Sequence, residues 1–153
     1  MRLQIAYVSP RRELKSGPAR LLLEDYASRA ARYMPLTVQA YRSEEALLES
    51  ATRSSGRAKP HMVLLDSRGR GLTSVEFAEY IGRQRDSAVQ EVVFAIGPAD
   101  GWSPESRKRA DLLFSLGAIT LPHELALAVL AEQIYRAVTI LAGHPYHSSH
   151  EIT

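Results

Sequence analysis

Cysteine is missing from all 153 residues. That excludes disulfides, thiolate nucleophiles and every cysteine-ligated metal site, zinc fingers included, and fits a reducing compartment. Long apolar runs are missing too. No window approaches the roughly 18–20 apolar residues of a membrane span. The apolar stretch at the N-terminus is only a few residues long, too short for a signal-peptide core. A cytoplasmic protein with no membrane partner is expected. There is no G-x-G-x-x-G and no G-x-x-x-x-G-K-[ST], which argues against ordinary dinucleotide and P-loop sites. A carboxylate dyad, a metal cluster and a Ser/His/Asp context are likewise lacking, so no hydrolase reading stands. His123 and Glu124 are adjacent, about 100° apart on a helix, and do not form a metal pair; no metal site is expected.

A dominant charge is also lacking. Nineteen Lys+Arg stand against seventeen Asp+Glu, a net of +2. The distribution is uneven, however. Residues 1–60 hold eleven basic and six acidic side chains (+5), and residues 61–153 hold eight and eleven (−3). Such asymmetry lets a nearly neutral protein present one positive face to phosphates, although a solvated surface of uneven charge gives the same count. With 45% hydrophobic and 24% charged residues, the length fits one globular domain, residues 1–153.

Apolar runs separated by helical periodicity organise the chain. Leu3, Ile5, Tyr7 and Val8 predict a first strand, and a basic, turn-rich loop follows from Ser9 to Gly17. Pro18 suits the first residue of a helix that carries Leu21, Leu22, Tyr26, Ala30 and Tyr33 and ends at Pro35. Leu36 to Tyr41 predicts a strand. Ser43 caps a helix opening with Glu44 and Glu45, and Arg53 to Pro60 ends it. Met62 to Asp66 is a strong strand, Ser67 to Gly71 reads as a flexible turn, and Thr73 with Glu76 forms a capping box. Val92 to Ile96 predicts another strand, Ser103-Pro104-Glu105 a short helix, and Leu112 to Leu116 a last strand. A long helix runs from about His123 to Ala142, with Leu127, Leu130, Ile134, Ala137, Val138 and Leu141 on one stripe, and Gly143 stops it.

Strands alternating with helices predict an α/β domain with a mostly parallel sheet covered on both faces. Ligands of such sheets sit beyond the C-terminal strand ends. Three loops qualify: Asp66 to Gly71, Gly97 to Trp102, and Gly117 to Pro122. Their apolar side chains and backbone groups suit a neutral aromatic base with a compact polar tail, such as an adenosine-like ligand. Tight strand-to-helix turns explain the glycines equally well. His144-Pro145-Tyr146-His147 places two imidazoles and a phenol directly after a helix stop, and four of five histidines lie at or after residue 123.

Five motifs in order carry a resemblance. They are LLD-x-x-G-[KR] at Leu64 to Arg70, the I-G…G loop at Ile96 to Gly101, L-x-A-x-T-L-P-H at Leu116 to His123, E-Q-x-Y-R-A at Glu132 to Ala137, and H-P-Y-H at His144 to His147. Over nearly its full length the chain resembles the RlmH family, bacterial 23S rRNA pseudouridine N3-methyltransferases of the SPOUT superfamily. The resemblance implies a C-terminal deep trefoil knot, an exception to un-knotted chain connections. It implies S-adenosyl-L-methionine as cofactor, 23S rRNA within the assembled ribosome as substrate, and a homodimer in which the tail of one subunit meets the cofactor of the other. The last helix's stripe then becomes a candidate subunit interface.

Carried over by position, the resemblance implies a cofactor pocket of Leu65, Gly97, Pro98, Gly117, Ala118, Ile119, Thr120, Leu121 and Pro122. His147, Tyr146 and His123 become the candidate catalytic residues, and Arg136 and His144 lie on the RNA side. Arg136 is suited to hold negative charge on the base or a phosphate, or equally to pair with Glu132 at i−4. From charge placement, Arg11, Arg12 and Lys15 (with Arg20) are candidate RNA-backbone contacts. The chain departs from the family pattern at Pro98 (usually glycine), Leu127 (commonly arginine) and Ser148 (usually basic), and continues through Ser149 to Thr153. A noncatalytic α/β-knot homologue that binds RNA or ribosomes is the rival reading, and a knot-free flavodoxin-like small-ligand module a third.

Overall fold

The computed structural model describes residues 1–53 and 58–149. Five strands form one sheet: β1 (Arg2–Val8), β2 (Leu36–Tyr41), β3 (His61–Gly71), β4 (Glu91–Ile96) and β5 (Leu112–Ser115). Their order is β2-β1-β4-β3-β5, and every pairing is parallel. The helices are α1 (Gly17–Ala30), α2 (Glu44–Thr52), α3 (Ser74–Asp86), α4 (Pro104–Arg109), α5 (His123–Leu141) and a terminal turn, α6 (Tyr146–Ser149). Layers on both faces account for the continuous apolar runs of the central strands. One core joins Ile5, Val63 and Phe94 to Phe77 of α3 and to α5; the other joins Ala6, Leu64 and Ala95 to Leu47 and Leu48 of α2.

Local chemistry sets the helix starts. The Ser16, Ser43 and Ser103 side chains each accept a backbone N–H three residues on, and Thr73 with Glu76 completes the capping box of α3. α1 ends at Ala30 rather than at Pro35, because Tyr33 and Met34 turn their N–H groups back to the Ala30 carbonyl. The expected helix stop lies partly at residues 54–57, outside the described residues, as do residues 150–153 of the tail.

Two expectations need correction. Ser67 to Gly71 is not a flexible turn. β3 pairs with β5 through Leu65, loops out over residues 66–69, and pairs again at Arg70 and Gly71, so that Leu65 and Arg70 both face Phe114. Gly69 crosses the β5 backbone so closely that a Cβ there would lie 2.6 Å from the Leu113 carbonyl. The turn-rich composition reflects this crossing, which strand periodicity cannot register. The apolar stripe of α5 is also not an interface by itself. Leu127, Leu130, Ile134, Ala137 and Val138 are all buried in their own chain against α1 and α3. Leu127, where an arginine was the family expectation, is fully enclosed, so leucine fits that core position.

Candidate active site

The C-terminal ends of β3, β4 and β5 open into a cavity of about 550 Å³. All three loops singled out in the sequence line it, and so do all nine candidate cofactor residues: Leu65, Gly97, Pro98 and the run Gly117, Ala118, Ile119, Thr120, Leu121, Pro122. His123 joins them.

Side chains lock these loops together. The His123 Nε2 lies 2.9 Å from the Gly97 carbonyl oxygen. A carbonyl only accepts, so Nε2 carries the proton and donates. Trp102 donates its indole N–H to the Leu65 carbonyl at 2.9 Å and lies flat against Gly97, where a Cβ would sit 2.8 Å from the ring. Gly101 (φ 89°) turns back to donate to the Pro98 carbonyl at 2.8 Å. Gly117 (φ 133°) requires glycine and is held by the Ser115 hydroxyl, which accepts its N–H at 3.2 Å. Beside them the Asp66 carboxylate, 6% exposed, accepts from the Arg68 backbone at 2.8 Å and faces Arg107 Nε at 3.1 Å.

The lining is chemically selective. Among the described residues it contains one carboxylate, Asp66, and no lysine or arginine, so no cationic side chain there neutralises a phosphate chain. Ile119 stands 82% exposed at the mouth, an apolar cover without an occupant of its own chain. α5 starts at the same mouth with Pro122 as N-cap and no side-chain cap, leaving backbone N–H groups for an acceptor. An aromatic base, a cationic centre and a small carboxylate together match this donor set.

The candidate substrate-side residues are elsewhere. Thirteen residues of α5 separate His123 from Arg136, roughly 20 Å at 1.5 Å per residue. At that far end Arg136 grips Glu132 at 2.9 and 2.8 Å, the i−4 pairing weighed from the sequence. Its Nη1 also lies 3.0 Å from His147 Nδ1. Arginine only donates, so Nδ1 accepts and the His147 proton sits on Nε2. The Tyr146 hydroxyl donates to Glu132 at 3.3 Å. Burial, with the Glu132 charge adding, pushes this phenol up to about 12. His144 is exposed and accepts the Tyr146 N–H at 3.2 Å. One chain therefore brings His123 to the cofactor cavity and keeps Arg136, His144, Tyr146 and His147 away from it.

The basic loop lies nearer the cavity. Glu124, next to His123, accepts the Ser16 N–H at 2.9 Å. This pins the end of the loop carrying Arg11, Arg12 and Lys15, all exposed.

A family model described as "Predicted SPOUT methyltransferase" matches residues 1–147. The chain belongs to the SPOUT methyltransferase family. It is 44% identical to the ribosomal RNA large subunit methyltransferase H of Koribacter versatilis, over 98% of this chain and 100% of that one. It is 40% identical to the protein of that name from Allorhizobium ampelinum, covering 97% and 100%, and 44% identical to that from Cereibacter sphaeroides, covering 96% and 99%. Among solved structures it resembles the SpoU methyltransferase AviRb from Streptomyces viridochromogenes in complex with AdoMet. That match has a TM-score of 0.52 and 13% identity, and covers 94% of this chain but 59% of that one. The fold is thus the α/β knot of SPOUT methyltransferases, and the shift in β3–β5 register between Leu65 and Arg70 begins beside the cofactor cavity at Asp66 and Ser67.

Sequence reasoning missed several supports of this SPOUT site. Trp102 is the chain's one tryptophan. A lone indole in a glycine loop signalled a packing partner, but its target, Gly97, became visible only in the fold. The Asp66–Arg107 pair spans α4 and β3 with no sequence periodicity to mark it.

Proposed function

We propose that this chain is an S-adenosyl-L-methionine-dependent 23S rRNA methyltransferase that modifies N3 of a pseudouridine in the assembled ribosome, working in the cytoplasm as a homodimer. The observation that carries the reading is the cavity at the three loops, whose described lining holds no lysine or arginine. The family match and the names of the relatives supply the substrate class. Among the described residues no helix is long and apolar enough to cross a membrane.

Leu65, Ile119 and Leu121 would cover the faces of the adenine, and the backbone of Gly117 to Pro122 would meet its edge. The uncapped start of α5 would take the carboxylate, and among the described residues no lysine or arginine lines the cavity to repel the sulfonium. When bound, S-adenosylmethionine supplies the methyl group on its sulfonium. His123 holds the Gly97 loop against the cavity through its Nε2 proton, which leaves Nδ1 as the nitrogen with a lone pair.

The substrate side comes from a second copy. Arg136 fixes the His147 ring through Nδ1, which leaves the ring proton on Nε2, and Tyr146 keeps its proton near neutral pH in a bond to Glu132. A donor such as a histidine N–H stabilises the negative charge that a uracil-type ring carries on its oxygens once N3 has lost its proton. Holding the anion in line with the methyl group supplies the rest of the acceleration. α1 and α5 run parallel, joined at their starts by Ser16–Glu124 and further along by Arg29–Tyr135. They leave Leu21, Leu22 and Leu125 exposed, apolar surface that a partner copy would cover. Arg11, Arg12 and Lys15 would meet RNA phosphates.

The test is incubation with ribosomes lacking the modification, followed by mass analysis of the pseudouridine-containing RNA fragment. A gain of one methyl group supports the reading. An unchanged fragment, with cofactor bound, points instead to a noncatalytic ribosome-binding homologue.

A further inference from the structure

We infer that Arg29 of α1 is a positioning residue that holds the C-terminal turn in its working orientation, an inference resting on the reading of that turn as the substrate side of the active site. α6 spans four residues, Tyr146–Ser149, far below the length at which a helix sustains itself. It is detached from α5 by Gly143, whose φ of 75° breaks the helical path, and by Pro145. Its direction is therefore set by side chains that grip it from other elements.

Three tyrosines converge there around one cation. The Arg29 guanidinium lies 4.4 Å from the ring centre of Tyr135, 5.3 Å from Tyr26 and 5.7 Å from Tyr146. All three fall within the range in which a cation is attracted to a ring. Tyr146 meets Tyr135 edge-on at 4.6 Å, and Arg29 Nη2 donates to the Tyr135 hydroxyl at 3.4 Å. Asp25, one helical turn earlier, steers the guanidinium from 3.7 Å. On the other side Arg136 lies 4.9 Å from the Tyr146 ring while it holds His147. The Tyr146 ring is thus flanked by two arginines, one from α1 and one from α5. Removing Arg29 takes the α1 cation off the Tyr146 ring and loosens the hold on the turn that carries His147. Arg29 touches neither the cofactor cavity nor His147, so its effect is confined to orientation.

The experiment compares wild type with Arg29→Met, which keeps the stem and removes the cation, and with Arg29→Lys, which keeps the charge and loses the planar face. Three quantities are read: amide hydrogen exchange of residues 144–149, S-adenosylmethionine affinity by calorimetry, and kcat on unmodified ribosomes. For Arg29→Met, exchange in the turn is expected to quicken about tenfold and kcat to fall about tenfold, the size of one good cation–ring interaction. Cofactor affinity stays at the wild-type value, and Arg29→Lys recovers part of both losses. Wild-type exchange in the Arg29→Met turn would overturn the inference. So would an equal loss of cofactor affinity, which would mark general unfolding. If wild type itself transfers no methyl group, the functional reading fails alone, and the exchange data still decide whether Arg29 holds the turn.

Discussion

His123 donates its Nε2–H to the Gly97 carbonyl across 2.9 Å, tying the first residue of α5 to the loop after β4. The bond joins two walls of the cofactor cavity that lie 26 residues apart in sequence. It assigns His123 to the shape of the cavity and makes it a poor proton acceptor at that nitrogen.

Replacing His123 with alanine is expected to weaken S-adenosylmethionine binding about tenfold, the value of one hydrogen bond of roughly 1.4 kcal/mol. At saturating cofactor, turnover should fall far less. Calorimetry and a cofactor titration of the rate separate the two. Unchanged affinity with collapsed kcat would instead make His123 catalytic.

Gly97→Ala would drive a methyl group to 2.8 Å from the Trp102 ring. The indole must shift, straining its bond to the Leu65 carbonyl. A loss of about 1–3 kcal/mol in stability is expected, together with weakened cofactor binding. Urea unfolding followed through the fluorescence of Trp102 checks the first, because no other tryptophan contributes.

Tyr80, packed against His61 at the start of β3, is pushed from its ordinary 10.0 up to about 12 by burial and by the charge of Asp111. Between those values the folded state keeps a proton that the unfolded chain releases. Stability therefore falls as pH rises from about 10 to about 12. Urea midpoints across this range should decline in wild type and decline less in Tyr80→Phe. The remaining slope belongs in part to Tyr146, raised in the same direction.

His147→Ala removes a donor that Arg136 aims from 3.0 Å. A fall in kcat of about a hundredfold is expected, as for other donors to a developing anion, with cofactor affinity untouched. Single-turnover methylation of ribosomes measures it.

Much of the fold was legible because β3 and β4 carry continuous apolar runs, β1 alternates, and most helices announce a cap, as at Ser43, Thr73 and Ser103. The cavity was legible too, since its glycine loops directly follow strands. What escaped was non-local. The pairing of Arg70 and Gly71 with β5 depends on a register shift against a distant strand, and Ser67 to Gly71 has the composition of an ordinary turn. The periodicity of α5 marks an apolar face without telling whether its own core or a partner covers it. The Arg29 cluster draws on Tyr26, Tyr135 and Tyr146, residues that only tertiary packing brings together.

The central claim is that an active site takes its cofactor cavity from one copy and its His147 donor from another, because α5 holds the two about 20 Å apart. Mixing two inactive variants measures this directly. Ile119→Arg adds a cation at an exposed lining position of the cavity, and His147→Ala removes the donor. Assembled together, random pairing makes about half the dimers mixed, each with one site free of both changes. Methylation of unmodified ribosomes is expected to return to about a quarter of the wild-type rate. No recovery, with mixed dimers present, would contradict the shared site and place cavity and donor in the same chain.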